Sequence, residues 1–175
     1  MKITEDELKN ILLRHEQWLN GDANGMRANL SQANLRRADL SSANLSDANL
    51  SRADLTGVNL TGANLTRADL TGANLNAAIL GSANLTEVIL SDADLSGAKL
   101  YHADLSGAKL YHADLSGADL TGTNLTGANL TYANLYRANL TDSDLNSANL
   151  SDADLYRANL TGVNLTGANL TGAKS

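Results

Sequence analysis

Leucine stands at every fifth position from Leu30 to Leu170, 29 times in succession. Two residues before each leucine lies a second inward-type position. It is alanine in 24 of the 29 repeats, with Val58, Val88, Thr123, Ser143 and Val163 as the exceptions. The residue between the two is Asn or Asp in 25 of 29, replaced only by Ile79, Ile89, Lys99 and Lys109. The two residues after each leucine are mostly Ser, Thr, Gly, Asp or Arg, so the unit reads A(N/D)LXX. An α-helix advances about 100° per residue, which would spread leucines five apart around its circumference. A straight strand alternates its faces, so an odd period would throw successive leucines to opposite sides. The chain must therefore turn once in every five residues to return each leucine to a common interior. Leucine and the small residue two before it share the inner side of a short extended piece, and the other three positions face water. Pairs such as Thr56-Gly57, Ser106-Gly107 and Thr166-Gly167 supply turn chemistry. Short extended pieces turning the same way make a β-solenoid.

Two internal echoes bear on the size of a coil. Tyr136-Arg137 recurs as Tyr156-Arg157, a spacing of 20 that fits four repeats per coil and a square cross-section. The block SGAKLYHADL fills 96–105 and again 106–115, a duplication rather than a coil length.

Period five breaks only at the start. Thr4 followed by Glu7 is a capping-box signature. Leu8, Ile11, Leu12, His15, Trp18 and Leu19 then fall on one helical face, and Gly21 and Gly25 lead the chain into the repeats. Residues 1–25 read as a capping helix and its turn, with Leu8, Ile11, Leu12 and Trp18 as the contact residues; residues 26–175 read as the solenoid. A cap hides coil edges that would otherwise recruit other chains. The opposite end stays in register through Thr171-Gly172-Ala173-Lys174-Ser175. It leaves room for end-to-end association with another copy, or for a rod cut or engineered from a longer one.

Twenty-nine A(D/N)LXX units over residues 26–170, with a degenerate unit at 21–25, resemble the pentapeptide-repeat family. The resemblance implies an all-β solenoid: a right-handed quadrilateral β-helix of about seven coils, here with an N-terminal α-helical cap. At roughly 4.8 Å per rung such a rod is on the order of 35 Å long. Many members, abundant in cyanobacteria, have no assigned biochemical role. Others resemble B-DNA in size and charge, and bind DNA gyrase or topoisomerase IV.

The candidate chemistry is sparse. The 175 residues hold no cysteine, so neither a disulfide frame nor a thiolate metal site is available. Of the three histidines, His15 belongs to the helix, while His102 and His112 are half a coil apart and project from opposite sides. No ligand set has zinc spacing, no Ser–His–Asp arrangement is supported, and the glycines follow the repeat rather than a phosphate loop. The reading is no enzyme, no cofactor and no metal. The acid-bearing start MKITEDELKN lacks an apolar leader and no stretch is long enough to span a membrane, so a cytoplasmic protein without membrane contact is expected.

Folding the sequence by 20 places Gln32, Arg52, Gly72, Asp92, His112, Tyr132 and Asp152 in one column. Two residues onward a second column runs Asn34, Asp54, Asn74, Asp94, Asp114, Asn134 and Asp154. Together they set Asp92, Asp94, Asp114, Asp152 and Asp154 along one edge, interrupted by His112 and Tyr132. Stacked like charges repel, and no requirement of folding is visible for them, which makes the edge a candidate interaction strip. Charge is also uneven along the axis. Residues 26–75 carry five arginines against four aspartates, net +1; residues 76–170 carry ten acids against Lys99, Lys109, Arg137 and Arg157, net −6. Such a rod disfavours direct nucleic-acid binding and favours an unknown protein partner. The leading expectation is a non-enzymatic interaction scaffold. A DNA-mimic inhibitor or protector of gyrase or topoisomerase IV, and an engineered or minimal scaffold without natural partner, are the alternatives.

Overall fold

In a computed structural model, which describes residues 3–175, the repeats wind into a solenoid with four repeats per coil. Met1 and Lys2, the first residues of the expected cap, lie outside the described residues. The coil size is fixed by 26 parallel bridges, each joining residues 20 apart, from Asn29–Asn49 to Asp154–Lys174. Each side contributes a single bridging residue, the one before leucine except for Lys174 at the last bridge, and among the described residues no longer strand forms. The reason is length: four of the five residues are taken up by a turn. The leucine carbonyl accepts the N–H of the residue three further on, as in Ala33 to Leu30 at 3.1 Å. The second residue after leucine has positive φ in all 29 repeats, the mark of a type II turn.

Neighbouring coils are joined by a regular set of bonds. Leu30 N–H donates to the Asn49 carbonyl at 2.7 Å, Asn49 N–H to the Ala28 carbonyl at 3.0 Å, and Gln32 N–H to the Ser51 carbonyl at 2.9 Å, a pattern repeated up the rod. The interior is a column of leucine and alanine, fully buried from Leu45 to Leu150. Each buried leucine contributes roughly 1.5–3 kcal/mol, which holds only when rungs stack on both sides. Two polar residues enter this column on adjacent coils. Thr123 donates to the Leu100 carbonyl at 2.9 Å and Ser143 to the Leu140 carbonyl at 2.7 Å, so both buried hydroxyls are satisfied.

Helix α1 spans Glu5–Leu19. Thr4 caps it: its hydroxyl accepts the Glu7 N–H at 3.2 Å while the Glu7 carboxylate accepts the Thr4 N–H at 2.8 Å. Ile3, Leu8, Ile11 and Leu12 rest on the core. His15 is completely buried, and its Nδ1 accepts the N–H of Ala28 at 3.1 Å, tying the helix to the first coil. Trp18 departs from the expected contact face. It is 38% exposed and stacks on His15, with ring centres 5.7 Å apart, because the buried histidine occupies the place nearest the coil. Among the described residues no helix is long and apolar enough to cross a membrane.

Candidate interaction surface

The three outward positions of each repeat do different work. Asn or Asp before leucine turns its Oδ1 back on its own chain. Asn59 accepts both the N–H of Thr61 at 3.1 Å and its hydroxyl at 2.7 Å. The first residue after leucine is Ser or Thr so often because it completes this Asx turn. At several places where Asn follows Asp or Asn one coil on, its amide adds a rung, as from Asn124 to Asp104 at 3.1 Å and Asn164 to Asp144 at 2.9 Å. The second residue after leucine, at the positive-φ corner, has no such duty.

This division separates the members of the expected strip. Asp94, Asp114 and Asp154 are turn residues. Each accepts a backbone N–H, from Ser96, Ser116 and Tyr156 respectively, all at 2.9 Å, and Asp114 also accepts the Asn134 amide at 3.0 Å. The premise that folding makes no demand for them is corrected: charge stacking is offset by bonds to N–H groups that need an acceptor. Asp92, His112, Tyr132 and Asp152 occupy the free corner, one coil apart in succession, all exposed. His112 Nδ1 faces Asp92 Oδ1 at 3.9 Å.

A residue outside the expected strip joins them. The Tyr111 ring stacks on His112 with centres 4.2 Å apart and planes within 10°. Tyr132 meets both edge-on, at 5.8 Å from Tyr111 and 5.1 Å from His112. Tyr111 is 40% and Tyr132 50% exposed, so the cluster is an open aromatic patch on a polar rod. The duplicated decapeptide shows how it arises. In the first copy Tyr101 lies over Gly81, where any Cβ would meet its ring, and His102 lies over Gly122, where a Cβ would sit 2.6 Å from Nδ1. In the second copy the corresponding neighbours are Ser91 and Tyr132. Ser91 denies Tyr111 the seat that Gly81 gives Tyr101, and the ring stands out. The sequence carried this signal in residues 20 away from each copy.

Other corners carry mixed charge. Arg27 donates to the Asp47 carbonyl, and Arg67 grips the Asp47 carboxylate at 2.9 and 2.8 Å. That Arg67 bond holds the Asp47 carboxyl below its ordinary value, against a partial opposing effect of burial. Tyr136 and Tyr156 stack at 6.1 Å, each beneath the guanidinium of the arginine that follows it, at 5.1 and 5.3 Å. Among the described residues no group of three His, Cys, Asp or Glu side chains is placed to hold a metal ion.

A family model described as pentapeptide repeats matches in successive segments, 26–62, 63–100, 78–117, 108–146 and 138–174. The chain is a pentapeptide-repeat protein. Among solved structures, this pentapeptide-repeat protein is 36% identical to HetL of the cyanobacterium Nostoc sp. strain PCC 7120, a pentapeptide-repeat protein involved in heterocyst differentiation regulation. That match covers 84% of this chain and 80% of HetL with a TM-score of 0.44. Rfr23 of the cyanobacterium Cyanothece 51142 is 27% identical over 95% of this chain and 94% of its own, with a TM-score of 0.37. Trypsin-treated QnrB1, a plasmid-mediated fluoroquinolone resistance protein, is 20% identical over 78% of this chain and 79% of its own, with a TM-score of 0.56. No curated protein matches significantly.

Proposed function

We propose that this pentapeptide-repeat protein is a non-enzymatic scaffold that displays corner side chains to a protein partner. The reading includes right-handed winding, as the family resemblance implies, and a capping role for residues 1–25. The contact edge is the strip of Asp92, Asp94, His112, Asp114, Tyr132, Asp152 and Asp154. One observation carries it: the side chains of Asp92, His112, Tyr132 and Asp152 take no part in the Asx turns that close each repeat, yet on this edge acids and aromatic rings stand where glycine suits the left-handed backbone best. The experiment compares proteins recovered by the intact rod with those recovered by a variant in which all five aspartates are asparagine. Asparagine keeps the Asx-turn acceptor, so the coil survives. Loss of a specific partner is the expected result; unchanged recovery overturns the strip.

A second reading is the DNA-mimic one, favoured by the net −6 charge over residues 76–170 and opposed by the arginines of residues 26–75. Inhibition of gyrase supercoiling at tens of micromolar rod is its test, and an unaffected enzyme retires it.

A further inference from the structure

The duplicated decapeptide offers an internal comparison. Two identical Tyr-His pairs share one fold, and only the second has an exposed tyrosine. Tyr132 adds to the contrast, since it holds φ at +59° where eleven other repeats place glycine. Half its ring remains in water. The three rings present π-faces and edges to solvent. Carboxylates stand at either end of the same column, Asp92 one coil before His112 and Asp152 one coil after Tyr132.

We infer that the Tyr111–His112–Tyr132 cluster, with Asp92 and Asp152, is a docking site for an extended protein segment bearing two arginines. The inference rests on the scaffold reading and names the partner's chemistry. A guanidinium is planar, weakly hydrated and suited both to stacking on an aromatic face and to a carboxylate fork; a lysine ammonium is a compact, strongly hydrated point charge. Geometry adds a spacing. Asp92 and Asp152 are three rungs apart, about 14 Å at the usual rung separation, close to the roughly 13 Å spanned by four residues of extended chain. Residues four apart in such a chain point the same way, so both arginines face the rod. The surplus of acid in this half of the solenoid attracts a cationic segment from a distance.

The probe is the synthetic peptide Gly-Arg-Gly-Ser-Gly-Arg-Gly, titrated into isotope-labelled rod at low salt and followed by amide and aromatic resonances. Shifts should concentrate at Tyr111, His112 and Tyr132. The peptide with lysine at both places should bind about tenfold more weakly, as should the Tyr132→Gly rod with the arginine peptide. Tyr101→Ser, which removes the tyrosine of the first copy, should leave binding unchanged. Equal binding of the lysine peptide, or unaltered binding by Tyr132→Gly, would mean charge alone is read and overturns the inference. Absence of any binding overturns it as well. If the peptide fails while partner recovery still responds to the five Asp→Asn changes, the arginine site falls and the scaffold reading stands.

Discussion

Residue by residue, the corner position shows most directly what the coil demands. Its backbone is left-handed whatever side chain it bears, and eighteen non-glycine residues accept that conformation. Ala77 is the simplest of them, exposed, with φ +54°. Replacing alanine by glycine normally destabilises a protein through the entropy of the unfolded chain, by roughly 0.4–1 kcal/mol. Here the left-handed conformation costs alanine about 1–2 kcal/mol, so the sign reverses. Ala77→Gly should raise stability by about 0.5 kcal/mol in denaturant titration. His15 gives a second prediction. Burial pushes its pKa below 6.5, reinforced by Arg27, while the Ser46 backbone and Asp47 act the other way. Nδ1 is already an acceptor, so Nε2 bears the proton, and it makes no hydrogen bond. Above pH 6.5 the ring is neutral both folded and unfolded, and its contribution is complete. As pH falls below 6.5 the unfolded chain takes up a proton that the folded one resists, so stability drops until the folded pKa is reached. Urea midpoints at pH 7.5 and 5.5 should differ for the native protein. His15→Asn, which has no titrating group there, should flatten the difference. Equal slopes in both would refute the assignment.

At the level of the repeat, side chains on one coil are fitted to the coil beside it. Gly81 is the only glycine directly after a leucine in the solenoid, and its lack of a Cβ admits the Tyr101 ring. Gly81→Ser should therefore expel the Tyr101 ring, as Ser91 does Tyr111, and destabilise by about 1 kcal/mol, the low end of the usual cost of overpacking. Adding Tyr101→Ser should recover most of that loss, because Ser over Ser or Thr is common in this position elsewhere. Independent, additive effects in the double mutant would show that the two residues are not coupled. The Asn and Asp positions were legible only in part. Their abundance before leucine was plain from the sequence, but their role as acceptors for the next turn required the bonds themselves. A carboxylate in a column of carboxylates looks gratuitous until its Oδ1 is seen to hold a backbone N–H.

Across the whole molecule, the coil period decides which residues meet. Removing residues 56–75, one complete coil, keeps every column aligned, so the shortened rod should retain the Tyr111–His112–Tyr132 contacts. Removing residues 116–120, a single repeat, keeps the leucine interior but carries Tyr132 to the next corner. Both variants should fold, with stability reduced by roughly one coil or one repeat, as expected where each rung contacts only its neighbours. Aromatic resonances separate them: the ring-current shift that Tyr132 imposes on His112 should persist in the first and be lost in the second, where only that of the adjacent Tyr111 remains. Their survival in both would contradict the four-repeat coil.

The sequence by itself determined the interior, since only a turn in every five residues returns each leucine to a common core, and it located the helix through Thr4, Glu7 and the apolar face that follows. It also pointed to the coil period through Tyr136-Arg137 and Tyr156-Arg157. Tertiary structure decided what the outward residues do. Tyr101 and Tyr111 have identical neighbours along the chain, and what differs lies one coil away, Gly81 or Ser91 on one side and Gly122 or Tyr132 on the other. In a solenoid the contacts that distinguish one repeat from another lie 20 residues apart, so a local motif cannot state its own exposure.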